Sequence, residues 1–140
     1  MTINDFRHKI NIQVRYKDVD KQGHVNNANH ITYFEIARVQ YFKDVLANAN
    51  DWVKNGVILA KTEINYIHPI FLDDTVYCYT KISSFGGKSF DITNIITKKH
   101  KDNEVVCAEG KSVMVCFNYE KNQTIEIPSA WKEAVAKFEQ

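Results

Sequence analysis

From residue 9 to residue 16 apolar and polar side chains alternate, with Ile10, Ile12, Val14 and Tyr16 set against Asn11, Gln13 and Arg15. A period of two predicts a strand with one buried face. The alternation ends in a polar run, Lys17-Asp18-Val19-Asp20-Lys21-Gln22-Gly23-His24-Val25-Asn26-Asn27. Gly23 and the two asparagines there suit a turn and a helix cap. The period then lengthens. Ile31, Phe34, Ala37, Tyr41, Phe42, Val45 and Leu46 recur at 3.6-residue spacing and predict a helix from Asn27 or Asn29 to about Ala47. Ile36 and Val39 fall outside that face, so the helix is expected to be covered on more than one side. Residues 48–55 read as a loop with a short helical turn around Trp52.

Four strand-like stretches follow, over residues 57–66, 75–83, 88–98 and 105–117. Short polar or glycine-containing turns separate them, so neighbouring strands are expected to pair antiparallel as hairpins. Pro128 opens a tail helix over residues 129–138, with Ala130, Trp131, Ala134, Val135 and Phe138 on its apolar side. No repeat or linker interrupts the chain, so residues 1–140 are expected to form a single domain. The order predicts an α+β architecture: an antiparallel five-stranded sheet wrapped around one long central helix, with a short C-terminal helix. One helix cannot cover both faces of such a sheet. Tyr77 and Tyr79 alternate with Val76 and Cys78, and this apolar second face points to another subunit.

Composition narrows the function classes. The chain has 140 residues, 44% of them hydrophobic and 12% aromatic, with 18 Lys+Arg against 17 Asp+Glu. That is the profile of one folded domain with its own core, not of a disordered chain. The near-zero net charge argues against a nucleic-acid binder. The longest stretch without a charged residue, 22–34, is too short and polar for the ~20 apolar residues of a membrane span, and the N-terminus has no apolar leader segment. Cys78, Cys107 and Cys116 each sit in an apolar β-like run. An odd, unpaired set reads as free core thiols in a reducing cytoplasm. No Cys/His spacing suits zinc, so no metal is expected.

The densest polar cluster runs from Asp18 to Asn29. Singly, Asp18 and Asp20 read as turn formers, His24 as a surface loop residue, and Asn26, Asn27 and Asn29 as caps. Together they place two carboxylates in a loop that opens onto the N-terminus of the longest helix. Helix N-termini carry unpaired N–H groups and a partial positive charge, which can stabilise an oxyanion growing on a carbonyl. A carboxylate beside such a site can attack the carbonyl or deprotonate water. No phosphate-cradling glycine pattern, GxSxG motif or Ser/His/Asp or Cys/His spacing is present.

The run from Val14 to Asn27, followed by Tyr33-Phe34-Glu35-x-x-Arg38, resembles the signature of the hotdog-fold acyl-CoA thioesterases, and most closely the 4-hydroxybenzoyl-CoA thioesterase-like family. His24-Val25-Asn26-Asn27 also resembles the acyl-carrier-protein thioesterases. The likeness continues in Tyr66-Ile67-His68-Pro69-Ile70, Asp74-Thr75-Val76 and Gly86-Gly87-Lys88-Ser89-Phe90. It implies a homodimer, often a homotetramer, in which sheets join edge to edge and active sites lie at the subunit interface. It implies that Asp20, the second Asp of D-x-D, is the catalytic carboxylate, as nucleophile or general base. The oxyanion donor would be the backbone N–H of Asn27, where related aspartate enzymes often carry His or Tyr. His24 matches the histidine of the plant-type enzymes, but their accompanying Asn is Gln22 here. This leaves His24 as either a direct participant or a loop-ordering residue. Asp73 stands where the family usually has glycine.

Tyr33 is expected to line the substrate pocket, and Lys88 and Ser89 to lie near the CoA phosphates. Another hotdog branch takes its carboxylate from the long helix, but Glu35 and Arg38 are spaced as an intrahelical or inter-subunit ion pair. His68 is expected to be structural or pocket-lining. The resemblance implies acyl-CoA as substrate, CoA being part of it, and no further cofactor. Two other readings stay open: a carrier-protein thioesterase, whose plant-type members are about twice this length, and a non-catalytic acyl-CoA binding module.

Overall fold

The computed structural model describes residues 1–46 and 50–140. Its elements, in order, are β1 (His8–Ile12), α1 (Ala28–Tyr41), β2 (Gly56–Tyr66), β3 (Val76–Phe85), β4 (Ser89–His100), β5 (Asn103–Asn118), β6 (Gln123–Thr124) and α2 (Ser129–Phe138). The long strands are ordered β1-β3-β4-β5-β2, all antiparallel, and β6 is a short addition beside β5. Register shifts at Leu59/Lys61, Ile82/Ser84 and Ile96/Thr97 interrupt the ladders. Such bulges bend and twist strands, which suits a sheet that wraps a helix. The wrapped sheet and central helix of the hotdog arrangement are both present.

α1 buries His30, Tyr33, Phe34, Ala37, Arg38 and Tyr41. Near its start, Phe34 and Ala37 pack with Val25, Ile70, Val76, Cys78 and Ile96. Toward its end, Tyr41, Phe42 and Val45 pack with Phe90, Met114 and Trp131, the last delivered by α2. Each Val, Ile, Phe or Met among them contributes roughly 1.5–3 kcal/mol when fully buried. The helix comes so close to β5 at Gly110 that an added Cβ would run into the Phe34 ring and the Glu63 carbonyl.

Several expectations need correcting. The first strand stops at Ile12 rather than Tyr16. The Arg15 N–H and guanidinium turn toward the Asp18 carboxylate, and the chain tightens into a 3-10 turn over Tyr16–Asp18 that leaves Tyr16 85% exposed. Ile31, placed on the buried helix face by its spacing, is 43% exposed. The helix widens into a π turn over Phe42–Leu46. Its expected end at Ala47 and the first loop residues, 48 and 49, lie outside the described residues. β2 and β3 do not form a hairpin: β2 crosses to the far edge and pairs with β5, while β3 pairs with β1. The second face is covered in part by the chain itself. Ile3 and Phe6, from a capped 3-10 turn at the N-terminus, pack on Tyr77, Tyr79, Ile95 and Val106. Among the described residues, no helix is long and apolar enough to cross a membrane.

Candidate active site

The loop between β1 and α1 is built around Asp18, which is 1% exposed. Its carboxylate accepts the Arg15 N–H at 3.0 Å, the Arg15 guanidinium at 3.0 Å and the Tyr33 hydroxyl at 2.8 Å. Its carbonyl accepts the Asn26 N–H at 2.9 Å and the Asn29 amide at 3.0 Å. Asp18 therefore ties both ends of the loop to α1. Burial pushes its carboxyl up, but the Arg15 N–H, the Tyr33 hydroxyl and the Arg15 guanidinium outweigh burial and hold it below the usual carboxylate value. A depressed folded-state pKa adds stability above the unfolded value, about 4, that is lost as pH falls through the lower folded value. Acid unfolding measured by circular dichroism should therefore lose its Asp18-dependent component below about pH 4, and Asp18→Asn should flatten the profile there.

Asp20 sits beyond that anchor, partly exposed. The backbone closes a tight turn: Asp20 N–H donates to the His24 carbonyl at 3.1 Å, and Gly23 N–H donates back to the Asp20 carbonyl at 3.0 Å. Gly23 takes φ +88°, a left-handed value that favours glycine. One carboxylate oxygen of Asp20 accepts the Gln22 N–H at 2.9 Å and the other the Asn26 amide at 3.3 Å. Each oxygen keeps a further lone pair for a ligand or water.

The first turn of α1 leaves one amide unused. Asn29 N–H donates to the Asn26 carbonyl at 2.9 Å and His30 N–H to the Asn27 carbonyl at 3.3 Å. Ala28 N–H is capped by the Asn26 side chain at 3.0 Å. The side chain of Asn27 makes no cap bond, and its N–H donates to none of the described residues. Asn27 lines a cavity of about 150 Å3 together with His24, His30, Tyr66 and His68. Burial holds the His30 imidazole below its ordinary value, against the opposing pull of the Asn27 and Asn26 carbonyls, so it is neutral near pH 7. His68 is oriented by a 2.9 Å contact from Nδ1 to the Val106 carbonyl. His24 stacks edge-on against Phe71 with ring centroids 6.5 Å apart. His30 and Tyr66 escaped sequence reasoning as site residues. Their signals were present in the i+3 spacing of His30 from Asn27 and in the Tyr66-Ile67-His68-Pro69 run.

The chain thus gathers His24 and Asn27 at one cavity and sets Asp20 in the adjoining turn. Other candidates go elsewhere. Tyr33 is 1% exposed with its hydroxyl on Asp18, so it is an internal support and not a pocket wall. Lys88 and Ser89 lie in the β3–β4 turn, beside the Phe90 and Trp131 cluster at the opposite end of the helix. They do not line the cavity at Asn27. Glu35 and Arg38 form no ion pair with each other. Both line a larger groove, about 540 Å3, between α1 and β2, with Val39, Phe42, Trp52 and Leu59. Burial pushes the thiols of Cys107 and Cys116 up to about 11, and that of Cys78 to about 12, too high for nucleophiles at neutral pH. Among the described residues, no group of three or more His, Cys, Asp or Glu gathers as a metal centre.

The family model of the thioesterase-like superfamily matches residues 14–135. The putative acyl-CoA thioesterase YneP of Bacillus subtilis is 32% identical over 81 residues, which span 56% of this chain and 59% of YneP. The acyl-CoA thioester hydrolase YbgC of Escherichia coli is 26% identical over 131 residues, covering 92% of this chain and 93% of YbgC. Among solved structures, a thioesterase from Thermus thermophilus, complexed with coenzyme A and zinc, superposes with a TM-score of 0.83 at 30% identity over 96% of both chains.

Proposed function

Because the chain belongs to the thioesterase-like superfamily, we propose that it hydrolyses acyl-CoA thioesters to a carboxylic acid and free CoA at the Asp20–Asn27 turn. The observation that carries this reading is the unused Asn27 N–H at the start of α1, linked through the neighbouring Asn26 side chain to the Asp20 carboxylate. The thioester carbonyl oxygen would accept that N–H, and the helix dipole would favour the negative charge that grows on it. Two routes balance. Asp20 can attack the carbonyl and expel CoA thiolate, leaving an anhydride that water opens. Alternatively, it can take a proton from water as hydroxide adds, and return that proton to the departing thiolate. The names of YneP and YbgC support CoA as the acyl carrier.

The working unit is a pair of copies. β2 is an edge strand with its outer side unpaired and invites a second strand. Ile31, Glu35 and Val39 form an exposed stripe along α1. Arg38 is buried to 9% exposure with no hydrogen-bond or ion-pair partner among the described residues. Two copies of α1 laid antiparallel about Glu35 would set Ile31 of one against Val39 of the other and offer Arg38 a carboxylate. The same operation would carry Lys88 and Ser89 of one copy toward the Asn27 end of the other, where CoA phosphates would need a cation. The free, buried cysteines fit a reducing compartment such as the cytoplasm.

The test is colorimetric thiol release across a panel of acyl-CoAs, from short aliphatic to aromatic, with one acyl group also presented on a carrier protein. Steady release from at least one acyl-CoA is expected. Release from the carrier protein alone would overturn the CoA assignment, and tight acyl-CoA binding without turnover would make the protein a binding module.

A further inference from the structure

The peptide between Asn27 and Ala28 is held at both its carbonyl and its N–H. Its carbonyl accepts the Tyr66 hydroxyl at 3.0 Å as well as the His30 N–H at 3.3 Å. The amide of the same peptide, Ala28 N–H, is taken by the Asn26 side chain at 3.0 Å. The peptide that follows the unused N–H is therefore clamped at both its polar atoms. Tyr66 reaches it from the last residue of β2. The chain beyond Tyr66 is itself anchored, since the N–H groups of Ile67 and His68 both donate to the Cys107 carbonyl, at 2.8 and 3.1 Å. His30 stands edge-on to the Tyr66 ring, with centroids 5.0 Å apart and planes at 88°. The Tyr66 ring is 47% exposed, so the core does not retain it. Among the described residues, the only partner of its hydroxyl is the Asn27 carbonyl.

We propose that Tyr66 is a positioning residue for thioester hydrolysis: its hydroxyl, pinned on the Asn27 carbonyl, ties the start of α1 to the edge strand and fixes where the Asn27 N–H points. This rests on the oxyanion reading above. An oxyanion donor is effective only within about 2.7–3.1 Å of the developing charge, and a shift of about 1 Å at a reacting centre can cost about 10²-fold in rate. The Asn26 side chain holds the same peptide from the other side and also touches Asp20, so it links the carboxylate to the donor. Among the described residues, the hydroxyl of Tyr66 makes no hydrogen bond to Asp20, which separates its effect from that of the carboxylate.

Tyr66→Phe removes one oxygen atom and keeps the ring. It should lower kcat by about tenfold and leave KM within about twofold, because the ground-state thioester gains little from a donor aimed at the oxyanion. A double-mutant cycle with Asn27→Pro adds a readout that a merely structural role would not move. With no N–H left to aim, Tyr66→Phe should change kcat no further in the Asn27→Pro background. An unchanged kcat in Tyr66→Phe alone, or the same fold-loss in both backgrounds, would overturn the proposal. If Asn27→Pro turns over at the wild-type rate, the oxyanion reading itself has failed, and the proposal with it. If Asn27→Pro is impaired and Tyr66→Phe is silent, only the role of Tyr66 falls. Should Asn27→Pro not fold, the single variant decides: a raised KM with kcat unchanged counts against the proposal.

Discussion

Asn27→Pro is expected to lower kcat for acyl-CoA hydrolysis by about 10²–10³-fold, the loss typical of removing one oxyanion donor. Asn27→Ala should stay close to wild type. The contrast isolates the backbone N–H, because proline removes it and alanine keeps it. Proline is compatible with the site for two reasons. Asn27 has φ −53°, inside the window that a proline ring imposes, and it sits at the N-cap position just ahead of Ala28, where its N–H takes no part in the helix's own hydrogen bonds. The asparagine side chain makes no cap bond, so its loss in either variant removes no hydrogen bond to the helix end. Steady-state thiol release by both variants, with far-UV circular dichroism to show that α1 survives, checks the prediction. Equal activity in the two variants would mean that the N–H takes no part.

Asp20→Asn is the second large effect, with an expected loss of about 10²–10⁴-fold, the range for a general base. The amide is nearly isosteric and can still accept the Gln22 N–H, so the turn closed by Gly23 should persist. The charge is what disappears, and with it both routes, attack on the carbonyl and deprotonation of water. The neighbouring Asp18→Asn should behave differently. Asp18 is spent on Arg15 and Tyr33 inside the loop and has no free side toward the cavity. Its replacement weakens a buried, charge-assisted cluster, and the expected cost is stability, on the order of 1–3 kcal/mol.

The Asp18–Asn29 cluster could be read from sequence because its bonds are local. Aspartates, asparagines and a glycine within one short run satisfy one another's backbone groups, and the same residues open the helix. Strand and helix positions were legible for a similar reason, since the period of two and the period of 3.6 are properties of neighbours along the chain. What depends on contacts distant in sequence was not legible. Residues 57–66 read as a strand, but the sequence does not show that β2 crosses to pair with β5 instead of β3. The pattern places Tyr33 on the inner face of α1, yet only the fold shows its hydroxyl taken by Asp18. The sequence reads the turn at Lys88 and Ser89 as part of the site, but it does not show that within one chain the sheet order sets this turn toward the other end of the helix. Ile3 and Phe6 carry no periodicity, so nothing marked them as cover for Tyr79 and Ile95. Tyr66 reaches Asn27 only because the end of β2 comes to rest beside the start of α1.

Asp20 and Asp18 stand two residues apart in one motif, the one partly exposed and the other buried under Arg15 and Tyr33, so the most direct test sets them side by side. Thiol release from one saturating acyl-CoA is measured for wild type, Asp20→Asn and Asp18→Asn, each corrected for the fraction folded. If Asp20 performs the chemistry and Asp18 holds the loop, Asp20→Asn falls by at least about 10²-fold at wild-type stability, while correctly folded Asp18→Asn keeps most of its turnover, as that assignment requires. Near wild-type release by Asp20→Asn, or a lethal Asp18→Asn beside an active Asp20→Asn, would contradict it.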